Sequence, residues 1–285
     1  MMAEITKLIH KYLRHDKKFP HVWCPGCGIG ILLGALIRAI DRTGFEKDDI
    51  VLVSGIGCSS RLPVYVDFNT LHTTHGRALT FATGVKLAKP RLKVIVVMGD
   101  GDAVAIGGNH FIHAARRNID LTAIVVNNNI YGMTGGQYSP TTPYGMRSTT
   151  TTYANVEHAF RISELAVTAG ASFVARGTVY HANQLATLME AAFLKVGFSV
   201  VEVISHCHTQ YGKLNKMGGA VAMLEWQRDH AVPVEQAIRA GTPECPAPIP
   251  PDKFLTGILV DREMPVYEAE YEKIRERARQ QAEGK

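Results

Sequence analysis

The chain has 285 residues, of which 46% are hydrophobic and 20% charged, with a formal net charge of +5. That length suits one large α/β domain or two small ones and supports a full hydrophobic core. The mild charge, with Lys and Arg scattered and no basic stripe among aromatics, does not call for a nucleic-acid partner; no run reaches the roughly 18 apolar residues of a membrane helix, and the charged N-terminal stretch shows no secretory h-region, so a cytoplasmic protein with no membrane span is expected.

Taken in chain order, the pattern opens on HVWCPGCG, a two-cysteine knuckle braced by Pro25 and Gly26. An apolar helix follows over 28–42, ending at Gly44. IVLVSG (50–55) reads as a buried strand. Residues 76–89 read as a helix stopped by Pro90, then KVIVVMG (93–99) as a strand, 108–118 as a helix and LTAIVVN (121–127) as a strand. A Gly/Thr/Pro-rich loop covers about 131–153. Helix 155–169, strand 172–176, helix 181–196 and strand 198–204 complete the alternation. Such alternation predicts an α/β fold, a mainly parallel sheet with helices on both faces. The pattern breaks after about residue 208. This divides the chain into a site-bearing α/β domain (1–210) and a C-terminal extension (211–285). GTPECPAPIPPD (241–252), with five prolines, reads as a linker or wrap, and the charged last turns as a solvated or partner-facing helix.

Two motifs stand just past the C-terminal ends of consecutive strands. MGDGDAVAIGGNH places Asp100 after the strand 93–99, and VVNNNIYG places Asn128 after the strand 121–127. In an open parallel sheet, ligands bind in the crevice at those ends. An Asp carboxylate, an Asn carbonyl and a backbone carbonyl are hard oxygen ligands suited to Mg2+. Gly99 and Gly101 let the backbone approach a diphosphate closely. Either motif alone reads as a turn or a strand-end cap. Both, in phase with one βαβ unit, point to a metal-diphosphate site.

GDG followed about thirty residues later by NN resembles the diphosphate-binding motif of thiamine diphosphate enzymes. The resemblance implies the diphosphate-domain fold, with Asp100, Asn128 and the carbonyl of Ile130 binding Mg2+. It also implies that the glutamate activating the cofactor comes from another polypeptide, because only the diphosphate domain is recognisable here.

The five cysteines are an odd number, which argues against a disulfide framework and for metal or redox use in the cytoplasm. A CPGC knuckle alone is compatible with structural zinc, with disulfide chemistry or with a cluster. Cys58 in GIGCSSR and Cys207 in ISHCHTQ lie past the strands 50–55 and 198–204, at the same sheet edge as Asp100 and Asn128. Cys24 and Cys27 open a helix that can lie over that edge. Four thiolates converging beside a diphosphate form a ligand set, unlike the paired CxxC of a zinc ribbon.

CPGCG, GIGCSS, HTTHGRALTFATGVKLA, GDGD, NNNIYGMTGGQYSPTT and the late Cys together resemble the β subunits of 2-oxoacid:ferredoxin oxidoreductases, most closely the 2-oxoglutarate branch. The likeness covers about residues 18–212. It implies a [4Fe–4S] cluster on Cys24, Cys27, Cys58 and Cys207. It implies thiamine diphosphate and Mg2+ held by Gly57, Cys58, Ser59, Ser60, His75, Gly99, Asp100, Gly101, Asp102, Asn128 and Ile130, with Gly132, Met133 and Thr134 wrapping the diphosphate. Met133 serves equally well as packing, and Cys245 as a spare thiol. The implied reaction joins 2-oxoglutarate, coenzyme A and ferredoxin. The implied partner is an α subunit, in an αβ hetero-oligomer such as (αβ)2. The alternatives are pyruvate or a broad range of 2-oxo acids as substrate, a non-redox thiamine carboligase or decarboxylase, and a zinc-dependent binding module. His75 is placed as a donor to substrate or diphosphate, with helix capping as its alternative, and His72 is read as structural. Arg61, three residues after Cys58, is placed to pair with the distal carboxylate of 2-oxoglutarate, with an interface role as its alternative.

Overall fold

The computed structural model describes residues 2–16, 20–240 and 248–283. The elements, in order, are α1 (Met2–Tyr12), α2 (Gly28–Thr43), β1 (Ile50–Ser54), β2 (Asn69–His72), α3 (Ala78–Ala88), β3 (Lys93–Gly99), α4 (Gly108–Arg117), β4 (Thr122–Asn127), β5 (Ile130–Tyr131), β6 (Gln137–Tyr138), α5 (Ile162–Ala169), β7 (Phe173–Thr178), α6 (Ala182–Leu194), β8 (Ser199–Ile204), α7 (Ala220–His230), β9 (Ala231–Pro233), α8 (Val234–Ala240), β10 (Phe254–Asp261) and α9 (Tyr267–Glu283).

The apolar, β-branched strands pair into an eight-stranded sheet in the order β2-β1-β3-β4-β8-β7-β10-β9. From β2 to β7 every pairing is parallel, and β10 closes against β7 antiparallel. Successive side chains of a strand face opposite sides, so one run of apolar residues feeds two cores. Leu52, Ile95, Val97, Ile124, Val126, Val201 and Val203 pack beneath α2 and α6. Val51, Val53, Val94, Val96, Ala123, Val125 and Val200 pack beneath α3, α4 and α5. Because β1, β3, β4 and β8 run parallel, their C-terminal ends share one edge. Gly55–Cys58, Asp100, Asn128 and Cys207 therefore emerge together.

The main strands and helices fall where the sequence places them, and the departures have local causes. The helix expected at 155–169 starts only at Ile162. The Asn155 side chain donates to Thr142 O (2.7 Å) and Glu157 O (3.2 Å) and accepts from Glu157 N (3.2 Å), bonds that hold the backbone out of the helix. Between β3 and α4 the chain makes a π-helical turn, Asp102–Ile106. The expected loop at 131–153 carries a short antiparallel pairing of β5 with β6. The edge strand β2 is polar and half exposed, so its sequence carries no strand signal. After residue 210, α7, β9, α8 and β10 were not anticipated. Of the Pro-rich segment 241–252, residues 241–247 lie outside the described residues, and Cys245 with them. The expected terminal charged helix is α9, which buries no residue along its length. Among the described residues no helix is long and apolar enough to cross a membrane.

Candidate functional site: a metal-diphosphate cleft beside four thiols

A cleft of about 120 Å³ opens at the shared edge. The loop after β1 contributes Gly57, Cys58 and Ser59, and the end of β3 contributes Gly99, Asp100, Gly101 and Asp102. His75 comes from the loop before α3, and Asn128, Ile130, Gly132, Met133 and Thr134 come from the segment after β4. Ser60 does not line the cleft. It is buried behind Cys58, and its carbonyl accepts from Ser54 Oγ at 3.2 Å. Arg61 sits at the lip, with Nη2 3.9 Å from Met133 Sδ.

Asp100 is 3% exposed. Its Oδ1 accepts the Gly101 amide at 2.9 Å, and its Oδ2 accepts the hydroxyls of Ser139 (2.8 Å) and Thr141. Burial pushes its carboxyl upward, opposed by Thr141, Ser139 and the Gly101 and Asn129 amides. A carboxylate in that situation gains from a cation. Asn128 Oδ1 lies 3.4 Å from the Ile130 amide. The next residue, Asn129, takes a left-handed φ of 62° that turns the chain. Asp100, Asn128 and the Ile130 backbone thus meet at the cleft, and this set of hard oxygens fits Mg2+. Gly101 must be glycine, because a Cβ there would stand 2.2 Å from the Tyr131 ring.

Asp102 takes a different role from the one the sequence gives it. It lines the cleft, yet its oxygens are spent on the protein. Oδ1 accepts the Gly76 amide at 2.6 Å and lies 2.6 Å from His75 Nδ1, and Oδ2 accepts the Ile56 amide at 3.2 Å. The bond to Asp102 fixes the proton on Nδ1 and leaves Nε2 of His75 free. The Tyr131 ring stands edge-on to His75 at 6.0 Å. Burial, with Asp100 and Asp102 nearby, pushes its hydroxyl up to about 12, so it stays a donor. Sequence reasoning assigned no role to Tyr131, Ser139 or Thr141. Their signal was present, in a tyrosine directly after NNNI and a hydroxyl pair in YSPTT.

Cys24, Cys27, Cys58 and Cys207 are free thiols around one space. The first pair is set by a turn with Pro25 and Gly26 at its centre, Gly26 at a φ of 82°, closed by Cys27 N donating to Cys24 O at 2.9 Å. The turn is pinned from outside by His206 Nε2, 2.8 Å from Gly26 O. Trp23 Nε1 donates to Cys58 O at 2.7 Å. Cys24 Sγ and Cys207 Sγ lie 3.8 and 3.6 Å from the same hydroxyl, Thr209 Oγ1. A Cβ on Gly132 would stand 3.2 Å from Cys207 Sγ and 3.9 Å from Cys58 Sγ. Burial pushes the Cys27 and Cys58 thiols up to about 11, with their fellow cysteines adding to the effect. Among the described residues, no three His, Cys, Asp or Glu side chains are grouped closely enough to hold a single metal ion. Thiols that surround a space in this way fit a polynuclear cluster. Gly132 has the thiols on one side and belongs to the cleft wall on the other.

A parallel sheet with a glycine-flanked Asp and an Asn at adjacent strand ends defines the diphosphate half of a thiamine enzyme. The family model described as thiamine pyrophosphate enzyme, C-terminal TPP binding domain, matches residues 55–203. A 2-oxoglutarate synthase subunit KorB of Archaeoglobus fulgidus is 61% identical over 198 residues, 70% of this chain and 73% of the relative. One from Methanocaldococcus jannaschii is 44% identical over 267 residues, 94% of this chain and 97% of the relative. The structure of 2-oxoglutarate:ferredoxin oxidoreductase from Magnetococcus marinus, with 2-oxoglutarate, coenzyme A and succinyl-CoA bound, superposes with a TM-score of 0.82 at 34% identity. It covers 95% of this chain and 90% of that one. The chain belongs to the family of 2-oxoglutarate synthase KorB subunits.

Proposed function

We propose that this chain is the β subunit of a thiamine diphosphate-dependent oxidoreductase. The reaction interconverts 2-oxoglutarate, coenzyme A and oxidised ferredoxin with succinyl-CoA, CO2 and reduced ferredoxin. The observation that carries this reading is the meeting at Gly132 of the Asp100–Asn128 cleft with four thiols. Relatives that carry the 2-oxoglutarate synthase name, and a solved neighbour with that substrate bound, support the choice of substrate. The partner is an α subunit that supplies the activating glutamate, in a cytoplasmic (αβ)2-type assembly.

Asp100, Asn128 and the Ile130 carbonyl would hold Mg2+, and the Gly99–Gly101 backbone would face the diphosphate. Cys24, Cys27, Cys58 and Cys207 would hold a [4Fe–4S] cluster. When bound, thiamine supplies the nucleophilic carbon and electron sink for decarboxylation, and the cluster accepts electrons singly. The protein's part is position. Ser139, Thr141 and the Gly101 amide fix the Asp100 carboxylate, which would then meet a bound Mg2+ without reorganising. Asp102 holds His75 with Nε2 free to face the substrate, as an acceptor in the neutral ring and as a donor once the ring has taken up a proton. Arg61 at the lip is placed to pair with a distal carboxylate.

The test is the αβ complex purified without oxygen. Iron, sulfide and thiamine should all be present, and ferredoxin should be reduced on 2-oxoglutarate with coenzyme A far faster than on pyruvate. Thiamine without iron would point to a non-redox thiamine enzyme, and zinc in place of iron to a binding module. Asp100→Asn should weaken Mg2+–thiamine diphosphate binding strongly in a titration, because the ion loses its charged protein ligand. Unchanged affinity would remove Asp100 from the metal site.

A further inference from the structure

We infer that the Thr209 hydroxyl donates a hydrogen bond to the thiolates of Cys24 and Cys207 and thereby raises the reduction potential of the cluster they hold. The inference rests on the ligand set proposed above. Its basis is a juxtaposition from opposite ends of the chain. Cys24 belongs to the turn before α2 and Cys207 follows β8, yet both sulfurs approach the same oxygen. The distances are 3.6 Å for Cys207 and 3.8 Å for Cys24. The hydroxyl makes no other side-chain hydrogen bond among the described residues. Its position is fixed by the backbone. Thr209 lies in the π-helical turn His208–Gly212, closed by Gly212 N donating to Cys207 O at 2.9 Å.

The direction of donation follows from the chemistry of the sulfurs. A free thiol and a hydroxyl can each donate. A metal-bound thiolate carries no proton, so the threonine is then the only donor of the three groups. With one hydrogen to give, it serves the two sulfurs alternately. Reduction adds one electron, and part of that negative charge falls on the sulfurs without any proton being taken up. A donor to sulfur stabilises the reduced form more than the oxidised one, so the potential rises. Hydrogen bonds to charged groups are the stronger class, and Thr209 is exposed, so water competes and the effect stays moderate.

Thr209→Val keeps the shape and removes the hydroxyl, and Thr209→Ser keeps the hydroxyl and removes the methyl. Both are compared with wild type in the αβ complex by EPR-monitored redox titration, with iron and sulfide assayed on the same samples. The expected result is full iron in all three, with Thr209→Val about tenfold harder to reduce, a fall of about 59 mV for one electron, and Thr209→Ser close to wild type. An unshifted Thr209→Val with full iron overturns the role of the hydroxyl. So does a Thr209→Ser potential that falls, which also decides the matter if Thr209→Val loses its iron. Wild type without a reducible iron cluster overturns the ligand assignment itself, a separate failure.

Discussion

Asp102 and Asp100 are two residues apart and do opposite work. Asp100 faces the cleft with hydroxyl donors behind it, while Asp102 turns into the protein and grips His75. Asp102→Asn replaces an acceptor by an amide that confronts the Ile56 or Gly76 N–H, and His75 loses its charged partner. A charge-assisted bond is worth roughly 1.5–3 kcal/mol, so kcat/KM of the αβ complex should drop about ten- to a hundredfold. Full activity would remove His75 from the reaction. Arg61→Ala should cost a similar factor on 2-oxoglutarate and far less on pyruvate or 2-oxobutyrate. Equal losses on all three would assign Arg61 to the fold or the partner. The difference between the two aspartates was not legible in GDGD, since both follow the strand. It is set by the π-helical turn, which rotates Asp102 towards Gly55, where a Cβ would stand within the carboxylate.

The elements that carry the site are held by contacts as specific as the site itself. In the turn before α2, Gly26→Ala forces a β-carbon into a left-handed φ of 82° and to 2.8 Å from Ala220 Cβ. The strain alone is about 1–2 kcal/mol, so the variant should melt earlier and be isolated with less iron. A wild-type iron content and melting temperature would show the turn to be slack. Between β7, β8 and α5, Glu202 is 3% exposed and accepts from Arg176 Nε (2.9 Å), Ser163 Oγ (2.5 Å) and Asn127 Nδ2 (2.9 Å). Burial opposes its charge, but Arg176, Ser163 and Asn127 prevail and hold the carboxyl below its ordinary 4.5. A lowered carboxyl adds stability above the unfolded-state value, and that stability is lost as pH falls through the folded one. Glu202→Gln should therefore cost about 3 kcal/mol at pH 7 by urea unfolding, and the gap to wild type should shrink at pH values below about 4. A gap independent of pH would mean that packing, not charge, is what the substitution removes. The parallel strands were legible because they are buried on both faces and bounded by Gly, Asn or Asp. Glu202 was not, because a single acid in FSVVEVI carries no mark of the partners that tertiary packing brings to it.

Across the described residues, exposed apolar side chains are scattered, and two groups of them lie close together in the chain. Tyr144, Tyr153, Val156 and Phe160 stand out on the segment after β6, with Tyr153 96% exposed, and Phe81, Ile106 and Ile112 stand out around α3 and α4. Patches of this kind mark surfaces that partners cover. The isolated chain, loaded with cofactors, should not turn over 2-oxoglutarate, and Tyr153→Ser should weaken its association with the α subunit in a sedimentation or pull-down titration while leaving its unfolding free energy within about 0.5 kcal/mol of wild type. Turnover by the isolated chain would place the whole active site here. The antiparallel strand β10 has a consequence for how the chain is made. During synthesis β7 and β8 can pair as soon as they emerge, but the far edge of β7 stays bare until residues 254–261 arrive, some eighty residues later. At the usual rate of about 5–20 residues per second, a nascent chain carries a bare backbone edge for several seconds. That interval, rather than the finished protein, is when the chain is most open to pairing with a neighbouring copy on the same message.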